Sequence, residues 1–331
     1  MNSFGRIFRI HIFGESHGDC VGLTIDGCPA GLPLQVSDFV EDIERRKGGV
    51  QKGTTPRKED DIPIFKTGLF NGYTTGAPLT ILFENNNTRS GDYEKQRAVP
   101  RPGHADFTAH AKYGGFEDFR GGGHFSGRLT VCMVAAGVIA KKLLNEIAIT
   151  STILEIGGEK DLEKGLDKAI EAKDSIGGIV ECRVNGLPLG LGEHFFDSVE
   201  SLISHAVFSI PAVKGVEFGA GFAAAKMFGV DHNDAIEDAS GKTRTNHAGG
   251  IVGGITNGNE LVFRVVIKPT SSTPKEQSTW NRETNEVEPF SVKGRHDLCI
   301  ALRVPVILEA VAAIVLTDLM LLGQKIKPVL S

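Results

Sequence analysis

The residues of this chain that can do chemistry gather in glycine-rich segments. "RPGHAD", residues 101–106, sets a guanidinium, an imidazole and a carboxylate around a Pro-Gly turn. It runs on as "FTAHAKYGGFEDFRGGGHFSGR", so that Arg101, His104, His110, Lys112, Arg120, His124 and Arg128 crowd one stretch. Gly121 to Gly123 precede an apolar helical pattern, and backbone N–H groups at such a start can bind an anion. No GKS or GKT follows, so this is not a Walker loop, and Ser126 stands where GxGxxG needs its last glycine.

Other segments have the same character. "FGESHGDCVGLTIDG" (13–27) places Glu15, Ser16 and His17 between glycines just after a strand-like run. His17 can donate a proton near neutral pH; the alternative is a turn histidine with satisfied hydrogen bonds. "RRKGGVQKGTTPRK" (45–58) is either a solvated loop or one that folds over a polyanionic small molecule, gripping it with Arg45 and Arg46. It lacks the interleaved aromatics of a single-strand binder. "TNHAGGIVGGITNG" (245–258) feeds a strand ending in "KPTSS" (268–272), where Lys268, Thr270, Ser271 and Ser272 offer a charge and hydroxyls. "KGRHDLC" (293–299) sets Arg295, His296 and Asp297 before the last helical pattern. No HExxH spacing occurs and no metal site is expected; a hydrolase triad is not expected either.

These segments need a scaffold. The 331 residues are 40% hydrophobic and 23% charged with a net charge of −5, which excludes nothing globular and gives no general attraction to nucleic acid or an anionic membrane. An acidic chain that collects Arg, Lys and His into glycine-rich loops is suited to a small, multiply negative ligand. Five cysteines without a CxxC pair read as buried hydrophobes in a reducing, cytoplasmic setting. Charges inside "MNSFGRIFRIHIFG" argue against a signal peptide. Glu309 and Asp318 interrupt "PVILEAVAAIVLTDLMLLG", so a buried core helix is expected there rather than a membrane span.

Apolar runs predict strands at 7–13, 23–27, 78–84, 179–184 and 261–269. Helical spacing predicts helices from Ser37 to Gly48, over 127–144, 161–172 and 197–208, and from Val306 to Leu322. The glycine- and charge-rich segments 45–62, 85–126, 230–254 and 270–297 carry no assignment. The mixture predicts an α+β fold with antiparallel sheets and helices outside, and no shift in composition marks a linker within 1–331.

"GESHG…IDGCPAGLPL", "RPGHAD", "RGGGHFSGR", "NHAGGIVGGI", "KPTSS" and "GRHDLC" follow one another in the order found in chorismate synthases. From about residue 5 to about 322 the chain resembles that family. The resemblance implies a β-α-β sandwich with antiparallel sheets in the core and helices outside, a single domain over 1–331, and a homotetramer. It implies anti-1,4-elimination of phosphate from 5-enolpyruvylshikimate 3-phosphate to give chorismate, the last common step of the shikimate pathway toward aromatic amino acids. The reaction depends on reduced FMN without net redox change, and NADPH serves some members as an indirect reductant. By the same resemblance His17 matches the histidine that protonates departing phosphate, His104 the one that donates to reduced flavin, and Asp297 the carboxylate that helps hydrogen removal. Asp106 is read as structural. Arg46, Lys52, Arg101, Arg128 and Arg295 match substrate cations, those at 46 and 52 being linked also to NADPH. Flavin contacts map onto His124, Phe125 and Ser126, onto Pro211 and Ala212, onto Gly253, onto Lys268, Pro269, Thr270, Ser271 and Ser272, and onto Arg295. The chain departs from the family at His124-Phe125-Ser126, where paired serines are common, and at Lys52, where many relatives have Arg. Lysine cannot make the bidentate bond that arginine can. Net hydride transfer by a flavoprotein, and anion or RNA binding without catalysis, are the competing readings.

Overall fold

The structure is a computed structural model that describes residues 1–47, 52–54, 59–86, 97–292 and 296–326. The first sheet contains β1 (Ser3–Phe4), β2 (Arg9–Gly14), β3 (Cys20–Asp26), β4 (Ile64–Thr67) and, after the short ribbon of β5 (Leu69–Phe70) and β6 (Tyr73–Thr74), β7 (Leu79–Glu84). Its spatial order is β1-β2-β3-β7-β4. The second contains β8 (Ala148–Ile156), β9 (Gly178–Asn185), β10 (Val213–Phe218) and, beyond the hairpin of β11 (Ile251–Val252) and β12 (Ile255–Thr256), β13 (Leu261–Ile267), in the order β10-β13-β9-β8. Every adjacent pair in both sheets is antiparallel. A separate hairpin joins β14 (Gln277–Asn281) to β15 (Glu286–Phe290).

Helices α1 (Val40–Arg46), α2 (Asp106–Tyr113), α3 (Thr130–Leu144), α4 (Leu162–Ala172), α5 (Val199–Val207) and α6 (Val304–Leu322) complete the main elements. The α+β class, the antiparallel sheets and the β-α-β sandwich are as expected, and two of the helices lie between the sheets. Helix α3 packs on β2 and β3, α6 packs on β8 and β9, and the two helices pack on each other. The order is therefore sheet, helix, helix, sheet. The reason lies in composition: α3 and α6 are apolar on all sides, and such helices need partners on all sides. Val131, Ala135 and Ile139 of α3 and Leu308, Ala312 and Leu316 of α6 are fully buried. Helix α4, by contrast, is amphipathic and packs against the end of β8 at Ile156.

The acidic interruptions of α6 are both satisfied. Asp318 accepts backbone N–H bonds from Arg6, Ile7 and Phe8 at 2.7–2.9 Å. Glu309 accepts a two-point bond from Arg45 (2.6 and 2.8 Å), one from Lys141 Nζ (2.9 Å) and one from the Ser151 backbone N–H (3.0 Å). It thereby ties α1, α3 and β8 to α6. Residues Ile300–Leu322 are long and apolar enough to cross a membrane, yet 89% of the most apolar window is buried inside the protein.

Helices α3 and α6 approach most closely at Gly137. A Cβ there would stand 2.3 Å from Ala310 Cβ and 2.5 Å from its Cα. Substitution Gly137→Ala gains about 1 kcal/mol of helix propensity but overpacks the crossing at a cost of about 1–3 kcal/mol. The packing cost should win, and Gly137→Ala should lower the urea midpoint of unfolding; an unchanged or raised midpoint would show that the helices can part freely.

Candidate active site

A cavity of about 750 Å³ opens between the glycine-rich segments, the N-terminal strands and one side of α6. It has two kinds of wall. Arg46, Arg101, Arg128 and Arg303 form a cationic side, with His104 beside them. Ile10, Ile12, Met133, Phe208, Ile307 and Val311 form an apolar one.

The cationic side is built from three elements. Helix α1 ends at Arg46, and the turn before α3 carries Arg128. Both guanidinium groups converge on Asp61, which is buried. Arg46 Nη2 donates to Asp61 Oδ2 at 2.6 Å, and Arg128 Nη1 donates to Oδ1. Arg128 also donates to Asn85 Oδ1 (3.0 Å) and to the Glu84 carbonyl (3.1 Å). Burial opposes ionisation of Asp61, but the charges and hydrogen bonds of Arg46 and Arg128 outweigh it and hold the carboxyl below its ordinary range. Burial pushes Arg46 down to about 10, with Asp61 opposing and the neighbouring Arg303 and Arg128 adding to the effect. Arg46 stays cationic at neutral pH. Its Nε is buried with no acceptor among the described residues. Arg303 donates to the Arg46 carbonyl (2.8 Å) and to Asp297 Oδ2 (3.1 Å), linking α1 to the segment before α6.

The glycine run 121–123 has a use beyond its N–H groups. All three residues have positive φ. A Cβ on Gly121 would lie 2.2 Å from the His17 ring, and one on Gly122 would lie 3.1 Å from His104 Cε1. Consecutive glycines thus let backbone pass against two imidazoles. The Ser16 N–H donates to the Gly123 carbonyl at 3.1 Å, fixing the turn that bears His17 to the same run. Asn85 Nδ2 donates to the carbonyls of Glu15 and Gly18 and holds that turn to the end of β7. Gly14–Gly18 spells GxSxG, but it joins two antiparallel strands, so it is not the strand-to-helix elbow of a hydrolase nucleophile.

The cavity brings together many of the expected residues and leaves out others. Arg46, Arg101, His104, His124, Phe125, Ser126, Arg128, Pro211, Ala212, Lys268, Thr270, Ser271, Ser272 and Asp297 line it. His17 does not; it is buried behind Gly121, which does. Lys52 lies apart on the surface, bonded to Asp167 at 2.6 Å. Gly253 sits between β11 and β12, and Pro269 beside the lining residues; neither is part of the wall. Arg295 lies outside the described residues, as does most of the basic run 45–58. His124 uses Nδ1 on the Gly14 carbonyl at 2.8 Å, and Ser126 caps the turn of Arg128. Lys268 Nζ donates to Ser271 Oγ (3.0 Å), and burial lowers its pKa, with Lys214 adding. Asp61 and Arg303 were not among the expected residues, and His296, noted in the sequence without an assigned role, lines the cavity too. Burial lowers the His296 pKa, and the charges of Arg101 and His104 add to it. Arg303 had one visible sign: a lone cation opening an otherwise apolar helix needs a polar partner.

Fold and cavity together give a concave site in which a wall of arginines faces an apolar wall. The profile described as chorismate synthase matches residues 8–321. The chorismate synthase of Chitinophaga pinensis is 72% identical over 326 residues, covering 98% of each chain. That of Dehalococcoides mccartyi (strain BAV1) is 46% identical, covering 97% of this chain and 96% of its own. A crystal structure of chorismate synthase superimposes with a TM-score of 0.75 at 27% identity, covering 97% of this chain and 93% of that one. The chain belongs to the chorismate synthase family and is a carbon–oxygen lyase.

The carboxyls of Asp61 and Asp106 are both held below their ordinary range. Each therefore contributes stability that is complete above the unfolded value, near pH 4, and is lost as pH falls through the folded one. Thermal midpoints should fall steeply below about pH 4. Removing the bridging charge in Asp61→Asn should cost about 3 kcal/mol at neutral pH and flatten that acid limb. An unchanged acid limb would show that Asp61 is not a source of the acid sensitivity.

Proposed function

We propose that this enzyme eliminates phosphate from 5-enolpyruvylshikimate 3-phosphate in an anti-1,4 sense to give chorismate, with reduced FMN and without net redox change. The observation that carries the reading is the buried Arg46 Nε, a charged donor without an acceptor among the described residues, in a wall shared with Arg101, Arg128 and Arg303. A buried donor of this kind is costly unless a ligand supplies the acceptor. A substrate with two carboxylates and a phosphate supplies several. Arg46 and Arg128 are set side by side by Asp61 before any ligand arrives, so the cost of ordering them is already met by the fold.

The chain's residues also fit FMN. The apolar wall suits a flat ring system, while Lys268, Ser271 and Ser272 offer polar contacts at the end of β13. A volume of about 750 Å³ falls in the usual range for ligand cavities. When bound, reduced FMN supplies electron density to the breaking C–O bond and takes it back as the hydrogen leaves. His104 holds a proton at the cavity wall. His17, behind Gly121, protonates the departing phosphate after a small shift or through the cavity edge. Asp297, held by Arg303, assists removal of the hydrogen. The family's chemistry places this step at the end of the common shikimate pathway.

We further propose a cytoplasmic homotetramer made of single-domain chains. Phe195, Phe196, Phe222 and Phe228 are each 79–91% exposed, more apolar surface than a monomer needs to leave in water.

Purified protein should convert 5-enolpyruvylshikimate 3-phosphate anaerobically once FMN is reduced by dithionite, with reductant not consumed in proportion to product. NADPH in place of dithionite tests self-reduction. Absence of product with dithionite, or one NADPH consumed per turnover with pre-reduced FMN, would overturn the reading. His104→Ala and His17→Ala should each lower kcat by roughly 10²–10⁴-fold, the scale of a lost general acid.

A further inference from the structure

The segment 101–106 closes on itself around a carboxylate. Asp106 opens α2, and its oxygens are fully engaged. Oδ2 accepts from Arg101 Nε (2.7 Å) and from the Arg101 backbone N–H (3.1 Å). Oδ1 accepts from Arg101 Nη2 (2.8 Å) and lies 2.5 Å from His104 Nδ1. The group is shielded, with side-chain exposures of 5% for Arg101, 10% for Asp106 and 21% for His104.

We propose that Asp106 is the positioning residue of His104: it fixes the ring in the Nδ1–H tautomer and leaves Nε2 as the atom that exchanges a proton with whatever occupies the cavity. An ionised carboxylate can only accept, so the short contact at Nδ1 requires the proton to reside on that nitrogen. Ionisation of Asp106 is secured independently. Burial opposes it, but hydrogen bonds from Arg101 and His104 outweigh burial and hold the carboxyl well below its ordinary range. Gly122 passes close to the other edge of the ring, where a Cβ would lie 3.3 Å from Nε2. Arg101 Nη2 also lies 3.0 Å from Nδ1 and 3.3 Å from Nε2, against the ring. Three of the donors of Arg101 therefore serve Asp106, and a fourth reaches Ser272 Oγ at 3.4 Å. Arg101 is in the first place the clamp of this unit, and meets a ligand through its charge more than through free N–H groups. Pro102 and Gly103 earn their places as the turn that folds cation and carboxylate together; Gly103 has φ 72°.

The proposal rests on the reading of His104 as a proton-holding group, and its test separates the two. Histidine-selective 15N labelling, with His104 assigned by difference against His104→Gln, reports the tautomer directly at about pH 8.5, where an ordinary imidazole is neutral. The wild type should show Nδ1–H. In Asp106→Asn the amide can donate, and the ring should move to Nε2–H. The same variant should lower kcat by ~10²-fold with KM for substrate within about threefold, because a mis-set tautomer spoils proton transfer and not binding. Combined with His104→Ala it should add almost nothing, since the two act as one unit. Nδ1–H retained in Asp106→Asn, or additive losses in the double variant, would overturn the proposal. A tautomer change with His104→Ala still fully active would instead sink the catalytic reading of His104 and leave the positioning intact. Should Asp106→Asn fail to fold, Asp106→Glu keeps a carboxylate for Arg101 but displaces it by one methylene; it should retain Nδ1–H and lose kcat selectively, and full kcat there would count against the proposal.

Discussion

Two guanidinium groups buried side by side repel one another and lose their hydration, and neither would stay in place without a counter-charge. Asp61 supplies it for Arg46 and Arg128. The consequence reaches well beyond three side chains. Arg46 ends α1, Arg128 precedes α3, and Asp61 lies just before β4, so one carboxylate draws an outer helix, a central helix and the edge of a sheet to a common point. Arg303 extends the same system through the Arg46 carbonyl to Asp297. The arginines of the cavity wall are thus paired with carboxylates of the protein itself, while the Nε of Arg46 has no acceptor among the described residues.

The same economy governs the imidazoles. Each is placed by backbone that has no side chain to obstruct it. His17 rests on Gly121 and His104 on Gly122, so a single tripeptide of positive-φ residues sets the spacing between two turns far apart in sequence. Glycine is dear in conformational entropy, and the run 121–123 shows what that entropy secures: close approach at consecutive residues, which no other residue type permits.

Much of this was legible in the sequence where one physical rule dominated. Alternation marked β7, whose burial follows residue by residue, and continuous apolar character marked β13 and α6. Strand β8 was not legible. Its inward-facing positions are Ile149, Ser151 and Ile153, and after an irregularity between Ile153 and Glu155 the buried position is Ile156, so hydrophobicity does not alternate regularly along the strand. The Ser151 N–H there turns out to serve Glu309. Strand β10 is broken by an irregularity between Val213 and Gly215, which destroys its period. The place of α3 and α6 within the sandwich was not legible from periodicity, which tells which face of a helix is apolar, because these two helices have no polar face to orient them. At the site, the residues carried by glycine-rich segments were visible as types, whereas Asp61 was not. It stands among other acidic residues in "KEDD", and only the fold selects it for the two arginines.

The position of α6 in the middle layer has a bearing on how the chain reaches this state. Both sheets turn an apolar face toward the paired helices, and α6 follows in sequence every strand that it covers. During synthesis α3 therefore emerges directly after the first sheet, whereas α6 emerges only after the second sheet is complete. Until then β8 and β9 lack the helix that covers them, and closure is a late event that joins elements distant in sequence. Closure of this kind is slower than the packing of neighbouring elements and leaves apolar surface uncovered for longer than in a protein whose layers are completed in order of translation.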